Sequence, residues 1–302
     1  MHNQRVTINE LVRLIPTIGE KLTPIIQSEP GCGKTSLLSM LEDNMGDKYD
    51  YIYVDCPVKD MQDIAMTIPN HDTRTLETYV GSLFKLDSPK PKVILLDEFM
   101  KAPKLLQVIF TRLMLERFVG DTPLPDGSIV FGTSNNQSDG VGDTMLAHAS
   151  NRVCLLQMQK PQVEDWLVWA SENAISPLIR AWVHMFPRAL NSYLDDNQKD
   201  NPYIFQPSKP QLSFVTPRSL AKASVIVENR DILGELPTMS ALSGTIGYSA
   251  SADMSAFLSL EKSLPDINEI LERPDTIKVP DEISAQLMVM FQALDHLKTQ
   301  DQ

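Results

Sequence analysis

The sequence predicts an α/β fold in which a parallel sheet occupies the first half of the chain and helices occupy the second half. Up to about residue 158, short apolar runs of strand length alternate with helical patterns, which is typical of a parallel sheet covered on both faces. After residue 161 the strand pattern disappears and helical patterns remain. We therefore predict an α/β core over residues 1–160 and an all-helical domain over residues 161–302.

The elements follow from apolar periodicity and from helix start and stop signals. An opening helix should begin near Thr7 and stop before Pro16, because proline has no N–H to donate. Strands are predicted at residues 24–27, 51–54, 93–96, 129–132 and 153–158, with a helix at 104–118. Later helices are predicted at residues 164–173, 177–186, 217–230, 238–260, 266–272 and 281–299. Trp166, Trp169 and Trp182 are interpreted as core anchors of these helices.

Two segments interrupt the alternation of strands and helices and are interpreted as insertions. Residues 59–91 form a long, polar and poorly periodic connection between the second and third predicted strands. Residues 119–128 contain Asp126-Gly127, a turn signal that predicts a hairpin. Long ordered loops are more often functional than idle, with disorder as the alternative.

The clearest chemical motif is a glycine-bearing turn between the first predicted strand of the sheet and a helical pattern that starts at Leu37. Glycines allow successive backbone N–H groups to point at a phosphate, and the helix N-terminus adds its positive end. Within this turn Lys34 would reach the β- and γ-phosphates, and the hydroxyl of Thr35 would bind Mg²⁺. The alternative, an ordinary turn before a surface lysine, does not account for the strand-turn-helix context. The predicted cradle residues are Glu29, Pro30, Gly31, Cys32, Gly33, Lys34, Thr35 and Ser36.

A second motif is the unbroken apolar run at residues 93–96, which ends in Asp97 and Glu98. Two carboxylates at the end of a buried strand are costly unless they face a cation or a polar ligand. Together with the phosphate cradle, Asp97 is interpreted as the Mg²⁺-side acid and Glu98 as the base that orients and polarises the attacking water. Taken alone, the pair could equally be favourable acids at a helix N-terminus.

Composition limits the classes of partner. The 302-residue chain has 27 basic and 39 acidic residues, a net charge of −12, which argues against a broad nucleic-acid-coating surface. Its three cysteines are widely spaced, which fits a reducing compartment and no structural zinc. No apolar run reaches the length of a membrane span. We expect a cytoplasmic protein without a membrane partner, and we expect nucleic acid to be an unlikely partner.

Further features follow the two motifs in a fixed order. Residues 129–135 form a strand ending in Asn135, Asn151-Arg152 precedes the last strand, and Thr216-Pro217-Arg218-Ser219 opens a helix. This order resembles the AAA+ ATPases, with Walker A, Walker B, sensor 1, arginine finger and sensor 2. The chain more narrowly resembles the MoxR-like branch of bacteria and phages. The segments that carry this narrower resemblance are residues 97–103, 124–127, 135–139, 151–153, 164–170, 216–219 and 244–247.

The resemblance implies an AAA+ P-loop core with a C-terminal helical lid and roles for several residues. Asn135 would be sensor 1, with Asn136 as the alternative register. Arg152 would be a finger reaching the neighbouring subunit's nucleotide, and it is predicted to lie on the far side of the sheet order from the cradle. Arg218 would be a lid arginine that touches the γ-phosphate. The bland alternative for each arginine is a surface ion pair.

The activity implied is Mg²⁺-dependent hydrolysis of ATP to ADP and phosphate by a hexameric ring. Such a ring would remodel a protein partner as a chaperone does, in this family often a von Willebrand factor A-domain (VWA) protein. It would act in the cytoplasm, or in the host cytoplasm if phage-encoded. Two alternatives are a nucleic-acid-associated motor, disfavoured by the acidic charge, and an ATP-gated scaffold with little turnover, disfavoured by the presence of Glu98 and Arg152.

Overall fold

The computed structural model describes residues 4–136, 151–261, 264, 267–273, 275, 277 and 279–300. The chain divides into two compact units, Met1–Gln159 and Lys160–Gln302. In the part of the chain that the structure describes, no helix combines the length and apolar character needed to cross a membrane.

The first unit is built on a six-stranded sheet with helices on both faces. The described strands of the unit are β1 (Arg5–Val6), β2 (Thr23–Ser28), β3 (Asp50–Asp55), β4 (Ala65–Asn70), β5 (Thr75–Val80), β6 (Lys92–Asp97), β7 (Phe118–Val119), β8 (Thr122–Pro123), β9 (Ile129–Asn135) and β10 (Val153–Met158). Six of them form the large sheet, in the order β1-β10-β2-β9-β6-β3, and every pairing in it is parallel. Among the described residues of this unit, the helices of four or more residues are α1 (Ile8–Ile18), α2 (Leu37–Met45), α3 (Met61–Ile64) and α4 (Lys104–Glu116).

The two faces of this sheet bury separate apolar clusters, because side chains alternate along each strand. Ile26 packs with Leu11 of α1 and Leu41 of α2 on one face. Its neighbour Ile25 packs with Phe110 of α4 on the other. All five predicted strands of the large sheet are present, and four of them are longer than predicted by two or three residues.

The predicted end of α1 is wrong. Thr7 caps the helix and forms a reciprocal capping box with Glu10, as its start signal suggests, but the helix continues through Pro16 to Ile18. Proline removes only one hydrogen bond here, and the N–H of Gly19 still reaches the carbonyl of Ile15 at 2.8 Å. Burial of Ile15 on the sheet holds this last turn in place.

Both insertions contain antiparallel hairpins. The segment predicted as a poorly periodic connection forms α3 and then the pair β4–β5, so that prediction missed two strands. The second hairpin exists, as β7–β8, but the two-residue turn between its strands is Gly120-Asp121 rather than Asp126-Gly127. Gly120 has φ +58°, the left-handed conformation that tight hairpin turns require. The two hairpins meet where the hydroxyl of Thr78 donates to Asp121 at 2.9 Å.

The described part of the second unit is helical. Its helices are α5 (Val163–Glu172), α6 (Pro177–Met185), α7 (Pro217–Glu228), α8 (Arg230–Leu233), α9 (Glu235–Ile246), α10 (Tyr248–Leu260), α11 (Ile267–Glu272) and α12 (Ile283–Gln300). The single helix predicted at 238–260 is interrupted at Gly247, whose φ of +88° ends one helix and starts the next.

Two of the three tryptophans anchor the core of this unit, as predicted. Trp166 and Trp182 are buried in one cluster, whereas Trp169 is 42% exposed, so its predicted core role is wrong. The buried face of α5 is defined by Trp166 and Ala170, one turn apart, and Trp169 falls beside that face. The fold class, a parallel α/β sheet followed by an all-helical region, is confirmed.

Candidate active site

The predicted site residues of the first two motifs meet at the carboxyl edge of the sheet. Strand β9 lies between β2, which enters the glycine-bearing loop, and β6, which ends at Asp97. The register places Asn135 of β9 beside Ser28 of β2. Ligands of open parallel sheets bind at this edge, where helix N-termini and strand ends converge. Topology therefore brings three polar strand ends together around one loop.

The loop after β2 has the backbone of a phosphate cradle. Gly31 and Gly33 have φ values of +73° and +90°, which a side chain would strain. A Cβ added to Gly33 would also come within 3.3 Å of the Ser36 hydroxyl. A 3₁₀ turn, Lys34–Ser36, leads directly into α2. Cys32 is buried in the cluster that includes α2, which suits a small filling side chain.

Lys34 is buried and its ammonium group lies over the loop. Nζ donates to the backbone oxygens of Ser28 and Glu29 at 3.1 and 3.3 Å, and to the Ser28 hydroxyl at 3.1 Å. It also donates to Oδ1 of Asn135 at 2.9 Å. The oxygens that accept these four bonds are neutral, and the ammonium group lies at the position where phosphates would bind.

Asp97 is buried and is approached by three hydroxyl groups. Thr35 donates to Oδ2 at 3.3 Å, and Tyr53 of β3 donates to the same oxygen at 2.9 Å. Thr133 of β9 donates to the other oxygen, Oδ1. Burial and the neighbouring carboxylates, chiefly that of Asp97, raise the pKa of Tyr53 well above its usual range. Tyr53 is therefore a permanent donor at physiological pH.

Glu98 has an unusual backbone. Its φ of +50° lies in the left-handed region, which costs a residue with a side chain about 1 kcal/mol or more. Its N–H donates to the Thr133 hydroxyl at 3.1 Å. The carboxylate forms an ion pair with Lys101 at 2.8 Å, with both side chains about one-third exposed. Thus the backbone is held firmly while the acid reaches toward solvent.

The two asparagines that end β9 have different surroundings. Asn135 contacts Lys34, whereas Oδ1 of Asn136 accepts from Gln157 of β10 at 2.9 Å. Of the two, Asn135 is the one beside the cradle. Ser138 and Asp139, on which the predicted register also relied, lie outside the described residues.

Of the two predicted arginines, Arg152 belongs to the same unit as this group but lies away from it. Arg152 is exposed and precedes β10 at its amino end, where Val153 pairs with Thr23. The expected position on the far side of the sheet order is wrong, because β10 directly neighbours β2. Arg152 is instead separated from the cradle along the strand direction, by the length of the six-residue strand β2, about 17–20 Å. Arg218 is exposed in the second unit, at the second position of α7 after the cap Thr216.

Three residues beside Asp97 and Glu98 were not predicted from the sequence, namely Tyr53, Lys101 and Thr133. Tyr53 and Thr133 are single polar residues without a motif of their own, and the strand pairing that brings them to the site is visible only in the structure. Lys101 carried the one available signal, because it follows Glu98 by three residues in a segment that resembles MoxR-like proteins.

The side chains fit a nucleotide with a hard divalent cation. Thr35 and Asp97 offer two oxygen ligands 3.3 Å apart, and Mg²⁺ is typically held by one or two carboxylates together with substrate phosphates. The left-handed glycines and the buried Lys34 suit the phosphates themselves. Donor type and loop geometry are both compatible with this ligand.

Comparisons with known proteins agree with a P-loop nucleotide-binding fold. Residues 25–121, less than half of the chain, match the family described as the viral superfamily 1 RNA helicase core domain. Curated protein sequences give no match. The strand order and the loop after β2 confirm the fold class, a parallel α/β sheet with a glycine-bearing loop that is followed by a helical region.

Three solved structures are similar over most of the chain. A candidate ATPase from Cytophaga hutchinsonii is 17% identical with a TM-score of 0.39, covering 83% of this chain and 87% of that chain. The Thermotoga maritima RuvB Holliday junction branch migration motor is 13% identical with a TM-score of 0.42, covering 88% and 75%. NtrX from Brucella abortus is 14% identical with a TM-score of 0.38, covering 85% and 69%. At these scores no function is transferred from them.

Proposed function

We propose that this chain is a Mg²⁺-dependent ATPase that converts ATP and water to ADP and phosphate. The observation that carries the proposal is the 3.3 Å approach of Thr35, in the turn after β2, to Asp97 at the end of β6, beside Lys34 in the cradle. This pairing joins a phosphate-binding loop to an acid that can share a cation with it. Glu98 follows immediately and supplies a candidate base.

Each side chain has a distinct task in this proposal. ATP supplies the electrophilic γ-phosphoryl group, and Mg²⁺ held by Thr35 and Asp97 would neutralise charge that develops on that group. Lys34 exchanges its contacts with loop carbonyls for phosphate oxygens. Thr35 and Asp97 hold the cation, and Asn135 orients the attacking water by an uncharged hydrogen bond. Glu98 leaves Lys101 and accepts the proton of that water.

Substitution of Lys34 and Glu98 tests the assignment. Lys34→Ala should abolish nucleotide binding, because it removes the charge that meets the phosphates. Glu98→Gln should bind ATP and stall, because it keeps the shape of the side chain and loses the base. Binding is measured with a fluorescent ATP analogue and turnover by phosphate release, with and without Mg²⁺.

Arg112→Gln is a suitable control for both variants, since Arg112 is exposed on α4 and pairs with the exposed Glu116. Its turnover should equal that of the parent. If Lys34→Ala and Glu98→Gln both hydrolyse ATP at the parent rate, the enzyme assignment is wrong. If the parent binds ATP and does not turn it over, the alternative of an ATP-gated scaffold replaces it. A comparison of ATP, GTP and CTP tests the choice of nucleotide.

We further propose that the active form is a ring, with six subunits expected from the resemblance to MoxR-like AAA+ proteins, and that it remodels a protein partner. The position of Arg152 supports a contribution between subunits, because it lies about one strand length from its own cradle. In this proposal the helical unit serves as a lid whose Arg218 reaches the γ-phosphate. Copurification with a VWA-domain protein encoded nearby tests the partner. The Glu98→Gln variant should retain that protein in the presence of ATP and release it when ATP is removed.

A nucleic-acid-associated motor is the second candidate, and the match of residues 25–121 to a viral RNA helicase family favours it. The net charge of −12 counts against a broad binding surface. Single-stranded RNA and branched DNA should leave the rate of hydrolysis unchanged. A stimulation of more than about tenfold that weakens with salt would favour the motor instead.

A further inference from the structure

One buried hydroxyl links the two acids of the site. Thr133 is 0% exposed, and its Oγ1 donates to Oδ1 of Asp97 while accepting the N–H of Glu98 at 3.1 Å. A hydroxyl group has one proton to donate, so Thr133 gives that proton to Asp97 and accepts the N–H of Glu98 through its oxygen. The same side chain therefore contacts the acid proposed for the cation and the backbone that carries the proposed base.

The first of these bonds fixes the orientation of the Asp97 carboxylate. With Oδ1 held by Thr133, Oδ2 faces the hydroxyls of Thr35 and Tyr53. Without the Thr133 bond the carboxylate keeps only its Oδ2 partners, and its terminal torsion, which is intrinsically broad for aspartate, is less restrained. The cation ligands would then lose their alignment.

The second bond holds Glu98 in a conformation that it would not adopt freely. Left-handed backbone in a residue with a side chain persists only where surrounding contacts determine it. Here the N–H is held by Thr133, and the carbonyl of Glu98 accepts from the N–H of Lys101 at 2.8 Å. This backbone sets the direction in which the carboxylate leaves the strand.

We infer that Thr133 is a positioning residue for hydrolysis, acting through Asp97 and Glu98 without touching the nucleotide. The inference rests on the proposed ATPase function and adds a determinant of its rate. It contributes nothing to the cradle contacts of Lys34, so its loss should lower kcat and leave nucleotide affinity almost unchanged. A misplacement of about 1 Å in a catalytic group can cost on the order of a hundredfold in rate.

The sharpest comparison is Thr133→Ser against Thr133→Ala. Both remove the same methyl group, and only alanine loses the hydroxyl. Thr133→Ser should retain kcat within about threefold, whereas Thr133→Ala and Thr133→Val should lower it by about 10- to 100-fold. Affinity for ATP measured without Mg²⁺ should stay within about threefold in all of them.

Thr111→Val is a matched control for the loss of a buried threonine hydroxyl. Thr111 of α4 is buried, and its hydroxyl donates to the carbonyl of Gln107 at 2.6 Å within its own helix. Its kcat should equal that of the parent. Melting temperatures of all variants identify any loss of folding, and the serine–alanine pair remains informative if the valine variant does not fold.

A double substitution separates positioning from general damage. If Thr133 acts partly through Glu98, Thr133→Ala should lower single-turnover hydrolysis much less in the Glu98→Gln background than in the parent. Equal kcat for the serine and alanine variants, or an equal loss in both backgrounds, overturns the inference while leaving the ATPase assignment intact. A parent that hydrolyses no nucleotide overturns the proposed function and this inference together.

Discussion

The ion pair between Lys92 and Asp50 allows a stability prediction that is independent of the site. The pair joins the first residues of β6 and β3, at the amino ends of these strands, whereas the cradle lies at the carboxyl ends of the sheet. Nζ of Lys92 lies 2.5 Å from Oδ2 of Asp50 and 2.9 Å from the carbonyl of Ser88. The side chain of Lys92 is 0% exposed and that of Asp50 is 17% exposed. Asp50→Asn therefore leaves a buried ammonium without its counter-charge.

The expected cost follows from that burial. Removing one partner of a buried ion pair costs about 3–5 kcal/mol. The lower end applies here, about 3 kcal/mol, because Ser88 still accepts a bond and Asp50 is partly exposed. At about 2–4 °C per kcal/mol for a unit of this size, the melting temperature should fall by about 6–12 °C.

The effect of Asp50→Asn on stability should also depend on pH. Hydrogen bonds from Lys92 and Ser88 hold the pKa of Asp50 below its ordinary value. A carboxyl group whose folded pKa is depressed contributes stability above its unfolded pKa, about 3.9, and loses it as the pH falls through the folded value. Parent and Asp50→Asn should therefore differ fully at pH 7, begin to converge as the pH falls below about 4, and converge fully only below the lower folded pKa.

Calorimetric melting of the full chain from pH 3 to pH 7 tests this reasoning. Glu116→Gln is the matched control, because Glu116 pairs with Arg112 at 3.0 Å but the two side chains are 60% and 46% exposed. An exposed pair is worth at most about 1 kcal/mol. A melting temperature of Asp50→Asn within about 2 °C of the parent, or an equal fall in the melting temperature of Glu116→Gln, would refute the expected cost of breaking the buried pair.

Two further predictions concern the proposed ring. Arg152→Ala should retain ATP binding and lose turnover. Mixing it with Lys34→Ala subunits should restore some hydrolysis, because an intact cradle then meets an intact arginine finger. A mixture that assembles and stays inactive contradicts the role of Arg152 between subunits. Replacing residues 68–77 by Asn-Gly, which joins the register pair Thr67 and Thr78, should leave basal hydrolysis within a few-fold and uncouple partner remodelling. Loss of folding in that variant would instead assign the hairpin to the structural core.

The strands of the large sheet could be predicted because they are buried on both faces. The run Val93-Ile94-Leu95-Leu96 has no polar interruption, and such runs are recognisable at strand length. The hairpin β4–β5 was missed for the opposite reason. Its residues are half or fully exposed, and Pro69 falls inside a strand that pairs on one side only, where a missing N–H is tolerated.

The candidate site was predictable to the extent that motifs encode it. The cradle and the two acids are contiguous in sequence, so their chemistry can be inferred before their geometry is known. Tyr53 and Thr133 reach Asp97 across strand boundaries. Their positions depend on which strands are neighbours, and that order is fixed by long-range packing that one sequence does not display.

The left-handed backbone of Glu98 has a consequence for engineering. Glycine adopts this conformation without a Cβ penalty, and asparagine tolerates it better than glutamate does, so both replacements should raise stability while removing the carboxylate. A selection for thermal resistance or nucleotide retention would enrich inactive chains with changes at this one position. Directed evolution of this protein therefore needs a turnover-based screen, because here folding and activity favour different residues.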